Sequence, residues 1–204
     1  MTHIRNVNIT LMIIAIALCA APVSAQEGGR DRGFYIGARL AGTGLAVDDN
    51  GESGFVIEEG GGGLQLFTGY SFNDVFSLEM DIVGASHETN VPAIEVSAGG
   101  LQIFAHYRFR PGHNFRPYVK GGLGGFGVRV FNNDSEVRIE GGGVPVGGGF
   151  DYFFNSHFSL GLDFTYNIIQ YDKVAVDIGG ATVGFDLDQD GAMSSLGLSF
   201  TGYF

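Results

Sequence analysis

Six ionisable residues share one side of an alternating pattern. Glu79, Asp81, Arg108, Lys120, Asp151 and Asp163 each stand on the face opposite the large apolar side chains of their own segments. Charges held away from water are costly unless they are paired. The chemistry these six imply is therefore an ion-pair and hydrogen-bond network rather than catalysis. A second group, Asp186-Leu-Asp188-Gln-Asp190-Gly191, carries carboxylates at alternate positions before a glycine, as a calcium loop does at its opening. The acidic closing ligand is missing, because Gly197 stands where it should be, and a solvated acidic loop entering the last strand accounts for the same residues. A third, His157-Phe-Ser159, puts a base and a hydroxyl on one strand face. The matching position of a related hairpin holds Val75, so His157 reads as a turn residue. His87, His106 and His113 are scattered and have no metal-ligand spacing.

The elements that must position these side chains follow from a hairpin that occurs twice. Residues 70–81 read YSFNDVFSLEMD and residues 152–163 read YFFNSHFSLGLD, with seven identities at a constant offset of 82. Each copy runs an alternating strand into a turn and out along a second alternating strand. Apolar residues keep even numbers on both sides of the turn: Tyr70, Phe72, Phe76, Leu78, Met80 and Ile82, then Tyr152, Phe154, Phe158, Leu160, Leu162 and Phe164. A period of two gives one greasy face and one polar or small face. Asn-Asp and Asn-Ser suit the reversal, because Asn and Asp bond their own main chain.

The rest of the chain repeats this plan. Strands are expected at about 33–43, 62–72, 76–85, 96–110, 117–131, 143–154, 158–169 and 191–204. Parity in the fifth drifts near Phe126, which suggests a bulge. The connections alternate long and short. The long ones, 44–61, 86–95, 131–142 and 171–190, hold 15 of the 22 acidic residues, with a strand extension proposed at 174–185. Such asymmetry is expected where one rim faces outside a cell and the other the periplasm. Each run reaches the roughly 9–11 residues of a tilted membrane strand.

Composition agrees. The chain has 204 residues, one domain's worth, with 35 Gly lacking the three-residue period of collagen. The net charge of −11 excludes a nucleic-acid partner, which needs basic patches. Residues 1–25 differ: Arg5, an apolar run at 11–21, Pro22 and the small-residue site Val23-Ser24-Ala25 read as a secretory signal peptide cut after Ala25. Cys19, the one cysteine, falls inside it, and Leu18 before it does not suit a lipoprotein site. The mature domain, 26–204, is left without thiols.

Alternation alone does not say which face meets lipid; a soluble ligand-binding barrel would turn its greasy face inward. Three features favour the outward reading. Aromatics of the greasy parity crowd the strand ends beside the short turns, as an interfacial girdle requires. The opposite parity is mostly small or charged. The chain ends on alternating hydrophobes with a terminal aromatic, Leu196-Gly-Leu-Ser-Phe200-Thr-Gly-Tyr-Phe204.

On the two Phe-Asn-turn-Phe-Ser-Leu hairpins, the run Arg116-Pro-Tyr-Val-Lys-Gly-Gly-Leu-Gly-Gly125 and this ending, the chain resembles small Gram-negative outer-membrane β-barrels, those of the OmpA transmembrane domain and the opacity-type porin family. The likeness spans the mature chain. It implies an all-β, eight-stranded, antiparallel up-and-down transmembrane barrel in the outer membrane. It also implies that Phe204 is the signal read by the barrel-assembly machinery. The peptidoglycan-binding domain that often follows such barrels is not in the sequence. Some lipid A deacylases of this architecture carry a His-x-Ser pair, but here the pair lies on the periplasmic side, away from the leaflet those enzymes work on. The expected protein is a cofactor-free monomer, not an enzyme. Its expected role is structural or interactive, through acidic extracellular loops, with outer-membrane lipid, lipopolysaccharide and an extracellular partner as contacts. A narrow solute channel, a lipid-modifying enzyme and a soluble ligand-binding barrel are the alternatives.

Overall fold

The computed structural model describes residues 32–47, 57–89, 94–132, 135–178 and 181–204. The expected signal peptide and the acidic residues Asp48, Asp49, Glu52 and Asp134 lie outside them. Among the described residues the chain forms eight strands: β1 Gly33–Val47, β2 Ile57–Ser71, β3 Phe76–Thr89, β4 Ile94–Arg108, β5 Phe115–Asn132, β6 Ser135–Phe153, β7 Phe158–Ile178 and β8 Ala181–Tyr203. They pair in chain order, all antiparallel, and β1 closes on β8 from Tyr35 opposite Tyr203 to Val47 opposite Gly191. Closure leaves no unpaired edge, which a sheet in hydrocarbon requires.

The repeated hairpin works the same way twice. The Asn73 side-chain oxygen accepts from the amides of Val75 and Phe76 at 2.9 and 2.7 Å. Asn155 accepts from His157 and Phe158 at 2.8 and 3.0 Å. The Asn thus fastens the reversal before the outgoing strand begins. In the third short turn, Arg110 and Gly112 take positive φ of 54° and 82°.

Period-two patterning is realised around the whole ring. Phe34, Ile36 and Leu40 of β1 are exposed, whereas Tyr35 and Arg39 between them are buried. The exposed set continues through Leu66, Ile82, Leu101, Leu123, Ile168 and Leu198, forming the apolar wall of the cylinder. Its short-turn end is aromatic: Phe34–Tyr70, Tyr70–Phe72, Phe115–Phe150 and Phe158–Phe200 lie with ring centroids 4.9–5.6 Å apart. This is the interfacial girdle of a barrel seated in a bilayer.

Two expectations need correction. Two of the long connections, 131–142 and 171–190, are mostly hairpin rather than loop: β7 and β8 run 21 and 23 residues and pair as far as Ile178 opposite Ala181, which bears out the extension proposed at 174–185 and carries it further, and β5 and β6 pair as far as Asn132 opposite Ser135. Polar residues mark solvent but do not unpair a strand whose main-chain bonds are satisfied by its neighbour. Nor does β5 bulge near Phe126, since its register with β4 is unbroken from Ile94–Asn132 to Arg108–Tyr118. The register shifts fall instead at Ile57/Gly61, Glu140/Gly141 and Tyr171/Lys173. The drift has another cause: Phe126 and Val128 point inward into an apolar part of the lumen.

Glycine fits the narrow interior where side chains do not. A Cβ at Gly122 would collide with the Ile103 carbonyl, and one at Gly149 with that of Leu162. At Gly125, which faces outward, nothing stands within 4 Å.

Candidate functional site

The lumen is the place where chemistry-bearing side chains converge. The structure sets all six residues of the sequence-derived network inside it, buried: Glu79 and Asp81 from β3, Arg108 from β4, Lys120 from β5, Asp151 from β6 and Asp163 from β7. Alternation delivers them there, because each occupies the inward parity of its strand.

Asp163 is the hub. Lys120 Nζ donates to both its oxygens, at 2.9 and 2.8 Å, Tyr118 Oη donates at 2.6 Å and Thr165 Oγ1 at 2.9 Å. Arg39 joins Asp163 at 3.5 Å to Asp81 at 3.0 Å and Glu79 at 3.6 Å. His106 Nε2 lies 3.3 Å from Glu79, and Arg108 Nε lies 3.7 Å from Asp151. Arg39, Arg108, Arg116 and Lys120 are buried with Glu79, Asp81, Asp151 and Asp163, so the formal charges of these residues balance. Cations also lie over rings: Lys120 over Phe104 at 4.3 Å, Arg39 over Phe67 at 4.8 Å and Arg116 over Phe153 at 4.1 Å.

Arg39 and His106 are two ion-pair partners that the six-residue grouping leaves out. Both stand on the inward parity, so the signal that finds the other six finds them as well. What the sequence does not show is that β1 brings Arg39 within reach of β3 and β7 together. Strand order and stagger decide that, not spacing along the chain.

The network is sealed at both ends. Toward the short turns, Tyr35, Phe67, Phe153 and Tyr203 form a cluster, with Tyr35–Tyr203 at 5.5 Å and Phe153–Tyr203 at 5.1 Å between centroids. Toward the long hairpins, Val83, Val96, Ala98, Phe126, Val128, Ile169, Tyr171 and Met193 make a second, apolar plug. The expectation of a mostly small or charged interior is corrected here: toward the long hairpins the lumen is a hydrophobic core. A cavity of about 10 Å³ remains among Arg39, Glu79, His106, Arg108, Asp151 and Tyr203, room for about one water molecule.

The other candidates do not assemble. Asp186, Asp188 and Asp190 lie on β8, not in a loop, and all three are exposed on one side of the strand. Alternate carboxylates on an extended chain point the same way without curling around an ion. Asp186 faces Lys173 across the ladder, and Asp188 Oδ1 accepts from Gln170 Nε2 at 3.1 Å. Among the described residues no three His, Cys, Asp or Glu side chains are grouped to hold a metal. His157 is exposed in its turn, with Nδ1 3.0 Å from Ser156 Oγ, whereas Ser159 is buried.

Comparison with solved structures places this architecture. The surface protein NspA of Neisseria matches with a TM-score of 0.59 at 18% identity, over 87% of this chain and 100% of that one. OprG of Pseudomonas aeruginosa matches with a TM-score of 0.58 at 17% identity, over 86% and 99%. Ail, the attachment invasion locus protein of Yersinia pestis, matches with a TM-score of 0.52 at 13% identity, over 84% and 99%. At such identities the likeness is one of fold. No curated protein sequence matches the chain. The family model of the outer membrane protein beta-barrel domain matches residues 13–200. With its closed antiparallel ring and lipid-facing apolar wall, the chain belongs to the outer-membrane β-barrel protein family, which points to the Gram-negative outer membrane.

Proposed function

We propose that this protein is a non-conducting structural barrel of the outer membrane that works through its outside: it contributes to envelope integrity and meets extracellular partners with its long hairpins. The observation that carries this reading is the lumen, where a balanced ion-pair network lies between an aromatic and an apolar plug. An eight-stranded barrel has just enough interior for its own side chains. What remains for function is the wall and the outer rim. There β7 and β8 extend past the plug, and both faces of residues 183–186 are exposed.

Export by the signal peptide and folding as a monomer belong to the same proposal. So does recognition of Phe204 by the assembly machinery. Phe204 is 82% exposed, while its amide donates to the Phe34 carbonyl at 2.9 Å. The terminal ring is therefore free to be read while the main chain is docked.

Complementation tests the role. Cells lacking the protein are expected to become sensitive to detergent, and the full chain to restore resistance. A variant whose hairpin is closed by Asn-Gly directly between Lys173 and Asp186 should restore resistance but lose surface attachment, because the barrel wall is intact. Restored uptake of a small solute without restored detergent resistance would contradict the proposal.

A further inference from the structure

The basic residues of this acidic chain are distributed unevenly. Among the described residues, Arg39, Arg108, Arg116 and Lys120 are in the lumen and Arg32 and Arg110 lie at the short-turn end. Toward the outer end there are three, Arg129 of β5, Arg138 of β6 and Lys173 of β7, on adjacent strands. Arg129 and Arg138 are direct cross-strand partners and both face out of the barrel. Like charges in that position destabilise a sheet.

Glu136 offsets the repulsion in part, with Oε1 4.0 Å from Arg129 Nε and 3.1 Å from Arg138 Nη2. One carboxylate is shared between two guanidinium groups, and Arg138 Nε is shielded with no hydrogen-bond partner among the described residues. Glu140, the next acidic residue, stands opposite Gly127 on one side and Lys173 on the other.

Beneath the pair the wall is hollow. Arg129, Phe131, Arg138 and Glu140 line a groove of about 460 Å³ floored by Ser97, Gly99 and Gly127. A Cβ on Gly127 would make only an ordinary 3.6 Å contact with the Ile139 carbonyl, so packing within the chain does not demand that glycine. The height is informative too. Below the pair, the outward apolar residues of the wall stop at Leu123 on β5 and Val144 on β6, six positions from each arginine, and Phe131 stands exposed beside the pair on its outer side. On tilted strands that is about 15 Å, past the hydrocarbon and among headgroups.

From this geometry we infer that Arg129 and Arg138 form a clamp for the phosphate of a phosphorylated glycolipid of the outer leaflet, whose sugar lies in the groove beneath them. The guanidinium fork matches phosphate geometry. A lipid-borne phosphate fits better than a free one, because Ser97, Gly99, Gly127, Arg129 and Arg138 of the groove stand on the outward, lipid-side parity of their strands. The inference rests on the outward-working barrel proposed above and names one partner of its wall.

The test uses the full barrel in detergent micelles, titrated with bisphosphorylated lipid A, with its phosphate-free counterpart and with inorganic phosphate. Binding is read by native mass spectrometry. The wild type should retain the bisphosphorylated lipid selectively. Arg129→Gln with Arg138→Gln should weaken that retention about tenfold or more, while Arg110→Gln at the opposite rim leaves it unchanged. Glu136→Gln should strengthen it, since it releases both guanidinium groups; a merely structural salt bridge gives no such gain. Unchanged retention in a double variant that keeps its unheated gel mobility would overturn the site. So would competition by inorganic phosphate at equal concentration. If the double variant does not fold, Glu136→Gln decides alone, and no gain overturns the inference. Steady conductance of the wild type would instead sink the reading on which the inference rests.

Discussion

Asp163→Asn should cost the barrel about 3–5 kcal/mol, the range for breaking a buried pair from one side. The carboxylate receives Lys120, Tyr118, Thr165 and Arg39 together. An amide keeps the shape but loses the charge, and its NH2 turns a donor toward groups that are themselves donors. Lys120 suffers most. Asp163 is its ion-pair partner in the structure, and the ammonium also lies over the Phe104 ring at 4.3 Å. Arg39 retains Asp81 and Glu79. Adding Lys120→Met to Asp163→Asn should therefore recover part of the loss, because the unpaired charge leaves with its stem's packing preserved. Urea unfolding in lipid vesicles, followed by unheated gel mobility, measures both. Additive losses in the double variant would show that the two residues are not coupled.

The second large effect is expected at the outer plug. Phe126→Ala should lose about 3–5 kcal/mol by the same measurement, the cost of truncating a buried phenylalanine. The site cannot easily collapse. Phe126 is wedged among Gly100, Gly124 and Gly143, where an added Cβ would meet its ring at 2.9–3.1 Å. Those three positions have no side chains to move into the space. Ion passage should stay absent in this variant, because the charged layer beneath remains closed. Stability unchanged within error would mean that the plug is loosely packed and seals nothing.

These predictions draw on the part of the molecule that sequence shows well and the part that it hides. Period-two alternation was enough to count strands, place the turns and sort Glu79, Asp81 and Asp163 from Leu78, Met80 and Leu162, because a barrel has two faces and one of them meets lipid. Both Asn turns were legible, since Asx hydrogen bonding is local. Strand ends on the outer side were legible only in part. The apolar, β-branched residues of the extension proposed at 174–185 gave it away, and Val174–Ile178 do pair with Ala181–Phe185. At 131–142 polar residues hid the pairing of β5 with β6, because nothing local separates a solvated hairpin from a solvated loop. Phe126 misled for a related reason: it is an apolar residue on the polar parity, and sequence offers a bulge as readily as an apolar plug. The same ambiguity made Asp186, Asp188 and Asp190 look like an ion-binding loop, although alternate acids are also what one face of a strand produces. The arginine pair at positions 129 and 138 had no sequence signature. The residues are nine apart, and only the β5–β6 register makes them neighbours.

The central claim is that the barrel is shut and its working surface is outside. Current across a planar bilayer containing the purified full chain tests this most directly. With an aromatic plug, a balanced charge layer and an apolar plug in series, no steady single-channel current should appear at moderate voltage, although the protein migrates as a folded barrel before heating. Reproducible, steady conductance steps from protein with that folded mobility would contradict the account and make the lumen, not the rim, the functional site.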